Sequence, residues 1–526
     1  MIKRAFIDRY RLLVFLLLPF LLSWPAWFNG QPFFFPDTTS YIKGGASAVE
    51  LLVKTETAHD WLHAGNTVPA VDTSSKTVLH VPQPQYSSAP DKSGVISGRS
   101  IYYGLFLFLT ACVLSLKFVA LIQALLATML ISSILRERYA LGYRTIAVLL
   151  LALAVASPLP YFASMLMPDI FAGLGIASAI ALILMPAARS AARLLWAVLV
   201  LAAALFHSAN IMILLATIAT LVIVSLLFRR DFPLSWKSVG LAFVLVAGGV
   251  AGEAAFSQGV QIFTDTKPIR PPFITARLVA DGPGNAFVKS NCPQAQFEVC
   301  NYARDFTKAS SDDFLWSADP AVGVFTPASR SSRALLGQQD FAFAKAVFTH
   351  YPLVVLKNSA RNIGAQLGFV GLEEYVYDTT TVRNLAQKIP AKEQLALEQT
   401  RAAKGTFDVS YSATLIRITS VAALLVCLAG AVQMFQRKRY GDLTLIGIFL
   451  LALLINAGVC GALSTPHDRY QARIIWILQL MAMLLVAARM KWAPLSSSLP
   501  EQDPAAVSLQ PHGGLDNSAR KISATP

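Results

Sequence analysis

Two acidic residues stand directly after a proline at the edge of an apolar run: Asp37 in FFFPDTTSYI and Asp169 in MPDIFAG. A carboxylate in that position has two possible roles. It can cap the free N–H groups of the helix that follows, or it can take a proton from a hydroxyl. For Asp37 the residues leave both roles open; for Asp169 taken alone, capping is the plainer one. Cations and aromatic rings accompany them. Tyr41 lies four residues past Asp37, and Arg99, Tyr102 and Tyr103 lie in GRSIYYG. His207 lies in FHSAN, and Arg469, Tyr470 and Arg473 lie in STPHDRYQARIIW. Guanidinium and imidazole groups suit a phosphate or another concentrated negative charge. Each residue also has a plainer role: arginines snorkel to lipid phosphates, tyrosines anchor at membrane interfaces, and a lone histidine packs. No Walker loop, Rossmann glycine fingerprint, HExxH or Gly-x-Ser-x-Gly elbow competes with this set.

The elements that must position these residues are membrane helices. The chain has 526 residues, 55% hydrophobic and 14% charged, with a mean hydropathy of +0.53. Apolar runs of about 20 residues, enough to cross a bilayer, recur along it. The net charge of +14 gathers in short loops such as Arg136/Arg138/Arg144, Arg189/Arg193 and Arg437–Arg439, the positive-inside pattern. That distribution reports orientation and argues against a nucleic-acid partner.

Threading from a basic N-terminus inside the cell predicts a mainly α, polytopic membrane helical bundle of about ten spans. The first span, near 12–28, is expected to stay uncleaved, because no small-residue cleavage site follows it. A first external loop covers 36–100, and Ile101–Leu114 forms a short interfacial helix. Further spans follow near 118–135, 145–161 and 169–186, then a hairpin over 194–228 with His207 at its tip, and a span near 238–255. The predicted organisation is an N-terminal transmembrane module (1–255), an inserted extracytoplasmic domain (256–411), C-terminal transmembrane helices (412–490) and a disordered cytoplasmic tail (491–526). Asp37, Asp169, His207 and the 467–473 cluster then share one membrane face. Cys292 and Cys300, in NCPQAQFEVCN, fall in the external segment. A disulfide is expected there, with two free thiols as the alternative. Cys112, Cys427 and Cys460 read as small packing residues.

At this point the pattern resembles the GT-C superfamily of membrane glycosyltransferases, which take a sugar from a polyprenyl-phosphate carrier. Asp37 resembles the family's acid in the first external loop. GRSIYYGLFLFL is similar to the stretch that opens its next embedded helix, and LMPDIFAGL to its Pro-Asp at a span start. HSANIMILL sits where relatives carry Lys-x-Pro, and DRYQARIIW resembles the late Arg-Tyr stretch. The departures are Thr38 where many relatives have a second acid, and His207 in place of lysine.

The resemblance implies inverting transfer of a sugar to a cell-envelope lipid or polysaccharide at the outer face of a bacterial inner membrane. It implies Asp37 and Asp169 as catalytic residues, and Arg99, His207, Arg469 and Arg473 at the donor phosphate. Tyr41, Tyr102, Tyr103 and Tyr470 would contact substrate. A divalent cation, Mg or Mn, is optional, with Asp169 as its ligand. The implied partners are membrane lipid, the polyprenyl-phosphate-linked sugar and a glycan or lipid acceptor. Two other classes stay open: a transporter or flippase for an envelope lipid, and a non-catalytic assembly protein.

Overall fold

The computed structural model describes residues 11–64, 95–228, 232, 234–292, 294–302 and 310–489. The basic residues of the extreme N-terminus, much of the first loop and the 491–526 tail lie outside the described residues. The chain is mainly helical. Its principal helices are α1 (Thr38–Leu52), α2 (Ile101–Val113), α3 (Leu116–Tyr139), α4 (Tyr143–Ala156), α5 (Ile170–Leu184), α6 (Ser190–Phe206), α7 (Ser208–Leu227) and α8 (Trp236–Thr264). They continue as α9 (Phe273–Ala280), α10 (Ser311–Trp316), α11 (Arg330–His350), α12 (Pro352–Gly368), α13 (Ser410–Gln436), α14 (Tyr440–Leu463) and α15 (Asp468–Arg489). Shorter helical turns are named by residue below.

Six helices, α3, α7, α8, α13, α14 and α15, are long and apolar enough to cross a membrane. The expected count of about ten is thus met only in part among the described residues. Apolar helices α2, α4, α5 and α6 are shorter, at 13, 14, 15 and 17 residues. At 1.5 Å per residue, 14 residues cover roughly 21 Å, less than the ~30 Å hydrocarbon core. The first apolar segment is not one rod either. It divides into a π turn at Leu13–Leu17 and helices Leu18–Leu21 and Trp24–Asn29. Pro19 and Pro25 sit at the starts of the latter two, where the missing N–H costs least and the preceding helix must stop.

Local chemistry explains the breaks that were expected. The Ser115 hydroxyl accepts from Lys117 N and starts α3 anew after α2. His207 ends α6 in an extended conformation, and its ring nitrogen accepts from Ala209 N to start α7.

Helix direction alternates. α5, α7 and α15 begin at one end of the bundle, where α8 and α14 finish, and all of these ends border one cavity. The opposite end holds the basic residues of the short connecting loops. There Arg189 pairs with Glu137, Arg136 stacks 4.4 Å from the Tyr143 ring centre, and Arg489 Nη2 donates to Gln433 Oε1 at 2.9 Å.

Two hydrophobic cores form. The larger runs from Val14 to Ala487 through the bundle. The smaller joins Ile269, Phe287, Phe314, Phe325, Phe343 and Val347. The polar stretch read as 256–411 therefore divides. Its start continues α8 to Thr264. Its centre has the smaller core, and Tyr375, Tyr377, Leu397 and Phe407 return to the larger one. The Cys292–Cys300 disulfide is present beside the smaller core, as expected.

Candidate functional site

The two Pro-Asp pairs are brought together by a backbone device. Phe33 and Met165 form an isolated parallel bridge: Phe33 N donates to Ser164 O, and Leu166 N donates to Phe33 O, each at 2.9 Å. Thr38 Oγ1 fastens the segments again by donating to Leu166 O at 3.0 Å. Because the bridge is parallel, both chains leave it in the same direction. Asp37 and Asp169 each stand four residues beyond the bridged pair.

Close helix contacts then supply the cations. A Cβ on Gly45 would lie 2.3 Å from the Gly104 carbonyl oxygen, and one on Gly104 would lie 2.2 Å from the Tyr41 carbonyl oxygen. Only glycines let α1 and α2 lie backbone against backbone. Arg99, just before α2, thereby reaches α1, and its Nη2 donates to Asp37 Oδ1 at 2.6 Å. Gly173 plays the same part on α5, where a Cβ would meet Trp476 Nε1 at 2.6 Å and Arg473 O at 3.0 Å. That approach lets Arg473 Nη1 donate to Asp169 Oδ1 at 3.2 Å, with both side chains buried.

The capping role fails for both acids. Asp37 and Asp169 occupy the N-cap positions of α1 and α5, yet neither side chain caps its helix. Each carboxylate is instead turned to an arginine in one cavity of about 3460 Å³. Asp37, Tyr41, Arg99, Tyr102, Asp169, His207, Arg469, Tyr470 and Arg473 all line that cavity. Among the proposed site residues, Tyr103 is placed differently. It is fully buried behind the wall, and its hydroxyl donates to Gln123 Oε1 at 3.2 Å. Tyr103 is thus a packing residue, fixed there because its ring meets Tyr41, Phe171 and Phe206 edge-on.

Arg469 is the least satisfied cation. Its guanidinium lies over Phe35 at 4.2 Å and Tyr470 at 5.0 Å, and Nη2 donates to the Tyr470 hydroxyl at 3.3 Å. Its Nε and Nη1 are buried and make no hydrogen bond among the described residues; the nearest carboxylate, Glu374, is 3.9 Å from Nε. Unmet buried donors of this kind are costly and suit an anionic ligand. Arg473 is more fully engaged, since its Nη2 reaches Asn456 Oδ1 at 3.2 Å and Cys460 Sγ at 3.3 Å. His207 supplies no fixed charge. Burial, with Arg473 nearby, lowers its imidazole to about 4, and its Nδ1 accepts the Ala209 N–H. His207 lines the same cavity as the arginines.

Sequence reasoning missed three members of the site. Glu374 lies in the turn Glu373–Tyr375, where burial raises its carboxyl above the usual range against the pull of Arg469. Asp312 Oδ2, from α10, accepts from His467 Nε2 at 3.0 Å. Burial would raise the Asp312 carboxyl, but His467, Thr465 and Arg469 together hold the group low. Asn456, on α14, orients Arg473 and also donates to Tyr470 O at 2.7 Å. The first two come from a stretch with no apolar period or motif to mark them, and Asn456 is a lone polar residue in a span. As for a divalent cation, Asp169 Oδ1 already faces Arg473, and no group of three or more His, Cys, Asp or Glu forms a metal cage among the described residues.

The fold and cavity define a helical protein with membrane-length apolar helices and a charged cavity at one end of the bundle. No known protein family, curated protein or solved structure matches the chain.

Proposed function

We propose that the protein is an inverting glycosyltransferase of GT-C type. It would move a sugar from a polyprenyl-phosphate carrier to an envelope lipid or polysaccharide at the outer face of a bacterial inner membrane. On this reading the chain crosses the bilayer about ten times, and 256–411 lies with the cavity on the outer side. The observation that carries the proposal is the pairing, in one cavity, of a carboxylate that caps nothing with a buried arginine short of partners. These are Asp37 and Arg469.

The proposed step is a single displacement. The acceptor oxygen forms a bond to the anomeric carbon as the bond from that carbon to the phosphate oxygen breaks. The acceptor's proton passes to Asp37, and the leaving polyprenyl phosphate keeps the electron pair. Arg99 holds Asp37 by Oδ1, while Oδ2 makes no hydrogen bond among the described residues and is the oxygen that would receive the proton. Arg469 would meet the charge that grows on the phosphate, in a site whose burial strengthens the contact. Arg473 and Asp169 hold the wall behind it, which makes Asp169 a positioning acid rather than a second base. A cavity of this volume exceeds the ~300–1,000 Å³ of ordinary small-molecule sites, as two glycolipid-sized substrates require.

The test compares lipid-linked intermediates and envelope glycans by mass spectrometry in cells with and without the protein. Accumulated polyprenyl-phosphate sugar with loss of one glycan modification is expected. Unchanged glycans, with an envelope lipid retained in the inner leaflet, would point to a flippase instead.

A further inference from the structure

α12 is built inside out. Its most buried residues are polar: Asn362 and Gln366 are 6% and 0% exposed. Each has a partner there. Asn358 Nδ2 donates to Asp281 O at 2.9 Å, and Asn362 Nδ2 donates to Asp281 Oδ2 at 2.8 Å. Gln366 accepts from His467 N at 3.0 Å and donates to His467 O at 2.9 Å. The outward side is apolar, with Leu353 79% and Leu356 55% exposed. At helical spacing Leu353, Leu356, Ala360, Gly364 and Leu367 share that side. A helix facing water has the reverse arrangement, and exposed apolar patches mark contact surfaces.

The neighbour of α12 identifies what covers it. α12 packs on α14, a membrane-length helix, and meets it closely at Gly461, two residues before its Leu463 end. A Cβ on Gly461 would lie 2.9 Å from Asn362 O and 3.1 Å from Gln366 Cβ, so the polar side of α12 is pressed onto α14. The side of α12 turned away from a bilayer-crossing helix meets what surrounds that helix. Near the end of a 24-residue span, about 36 Å long, that is the boundary between acyl chains and headgroups. Lys357 and Arg361, exposed and one turn apart, are long enough to reach lipid phosphates from there.

We propose that α12 is a membrane-seated interfacial helix, with Leu353, Leu356 and Leu367 in the acyl region and Lys357 and Arg361 at the phosphates. The occupant of its apolar face is lipid. The seat also fixes the site, because Gln366 grips both backbone groups of His467, two residues before Arg469. This inference holds whatever reaction the cavity performs.

The test places nitroxide labels on the full-length protein in phosphatidylcholine/phosphatidylglycerol liposomes, in a Cys112→Ser background. Leu353→Cys and Leu356→Cys are compared with Val421→Cys on the exposed face of span α13 and Ser331→Cys on α11. Labels at 353 and 356 are expected to collide freely with oxygen and severalfold less with a water-soluble nickel chelate than the label at 331, as at 421. Chelate access equal to that at 331 would overturn the proposal. Protection from both reagents would overturn it too, in favour of a protein partner or a second copy. If either variant fails to fold, the unaltered protein is crosslinked with a diazirine-acyl lipid. Adducts on residues 353–357 are then expected, and adducts confined to the six membrane-length helices would refute the lipid seat.

Discussion

Gly44 and Gly45 are neighbours on α1, yet alanine at the two positions should act in opposite directions. A Cβ on Gly44 meets nothing within 4 Å, whereas one on Gly45 would lie 2.3 Å from Gly104 O and 2.8 Å from Leu105 N. Both clashing atoms are backbone, so no side chain can swing aside. To restore ordinary contact, α1 must back away from α2 by about 1 Å, an overpacking that typically costs roughly 1–3 kcal/mol. The same shift pulls Asp37 from Arg99, whose contact is 2.6 Å. Gly44→Ala carries only the helix-propensity gain, roughly 0.5–1 kcal/mol in favour of folding. Thermal unfolding of purified protein in detergent, followed by scanning fluorimetry, reads both. Gly45→Ala should melt several degrees below wild type, and Gly44→Ala at or slightly above it. Equal melting of the two variants would refute the backbone-to-backbone packing and the placement of Asp37 that depends on it.

Other predictions concern the same architecture. Asp169→Asn leaves the buried Arg473 guanidinium without its counter-charge, and should cost about 3–5 kcal/mol, read as a large fall in melting temperature that Asp169→Glu partly restores. Replacing Cys292 and Cys300 together with serine opens a short loop and should lower stability by about 2–3 kcal/mol; an unchanged melting curve would show that the bridge contributes nothing. His207 titrates near 4 in the fold against about 6.5 in the unfolded chain. The unfolded state therefore binds the extra proton in that window. The His207 contribution is fully present above pH 6.5 and is lost as pH falls toward 4. Melting temperature followed from pH 7 to 4 should fall less steeply for His207→Gln than for wild type.

How much of this was legible in the sequence depends on which force sets each feature. The long apolar helices, the break at Ser115 and the turn at His207 were readable, because run length and polar interruption decide them locally. The disulfide was readable from two cysteines in one polar stretch. The shortness of α4, α5 and α6 was not, because hydropathy locates an apolar run but not the residue at which its helix starts. The pairing of Asp37 with Asp169 rests on a bridge between Phe33 and Met165, residues 132 positions apart with no strand pattern around either. Glu374 and Asp312 enter the cavity through tertiary packing alone. α12 was hidden for a different reason: its most buried residues, Asn362 and Gln366, are polar while Leu353 and Leu356 are exposed, so composition reads as an ordinary polar segment.

The central claim is that Asp37 takes the acceptor's proton, and one substitution tests it most directly. Asp37→Asn keeps the shape of the side chain and leaves an oxygen for Arg99, but it removes the base. A strain lacking the protein is complemented with wild type or Asp37→Asn at equal membrane abundance, and the transferred sugar is measured on its acceptor by mass spectrometry. The account predicts a loss of about 10²–10⁴-fold in transfer rate, with donor lipid accumulating and the variant's melting temperature close to wild type. Transfer at the wild-type rate by Asp37→Asn would contradict it.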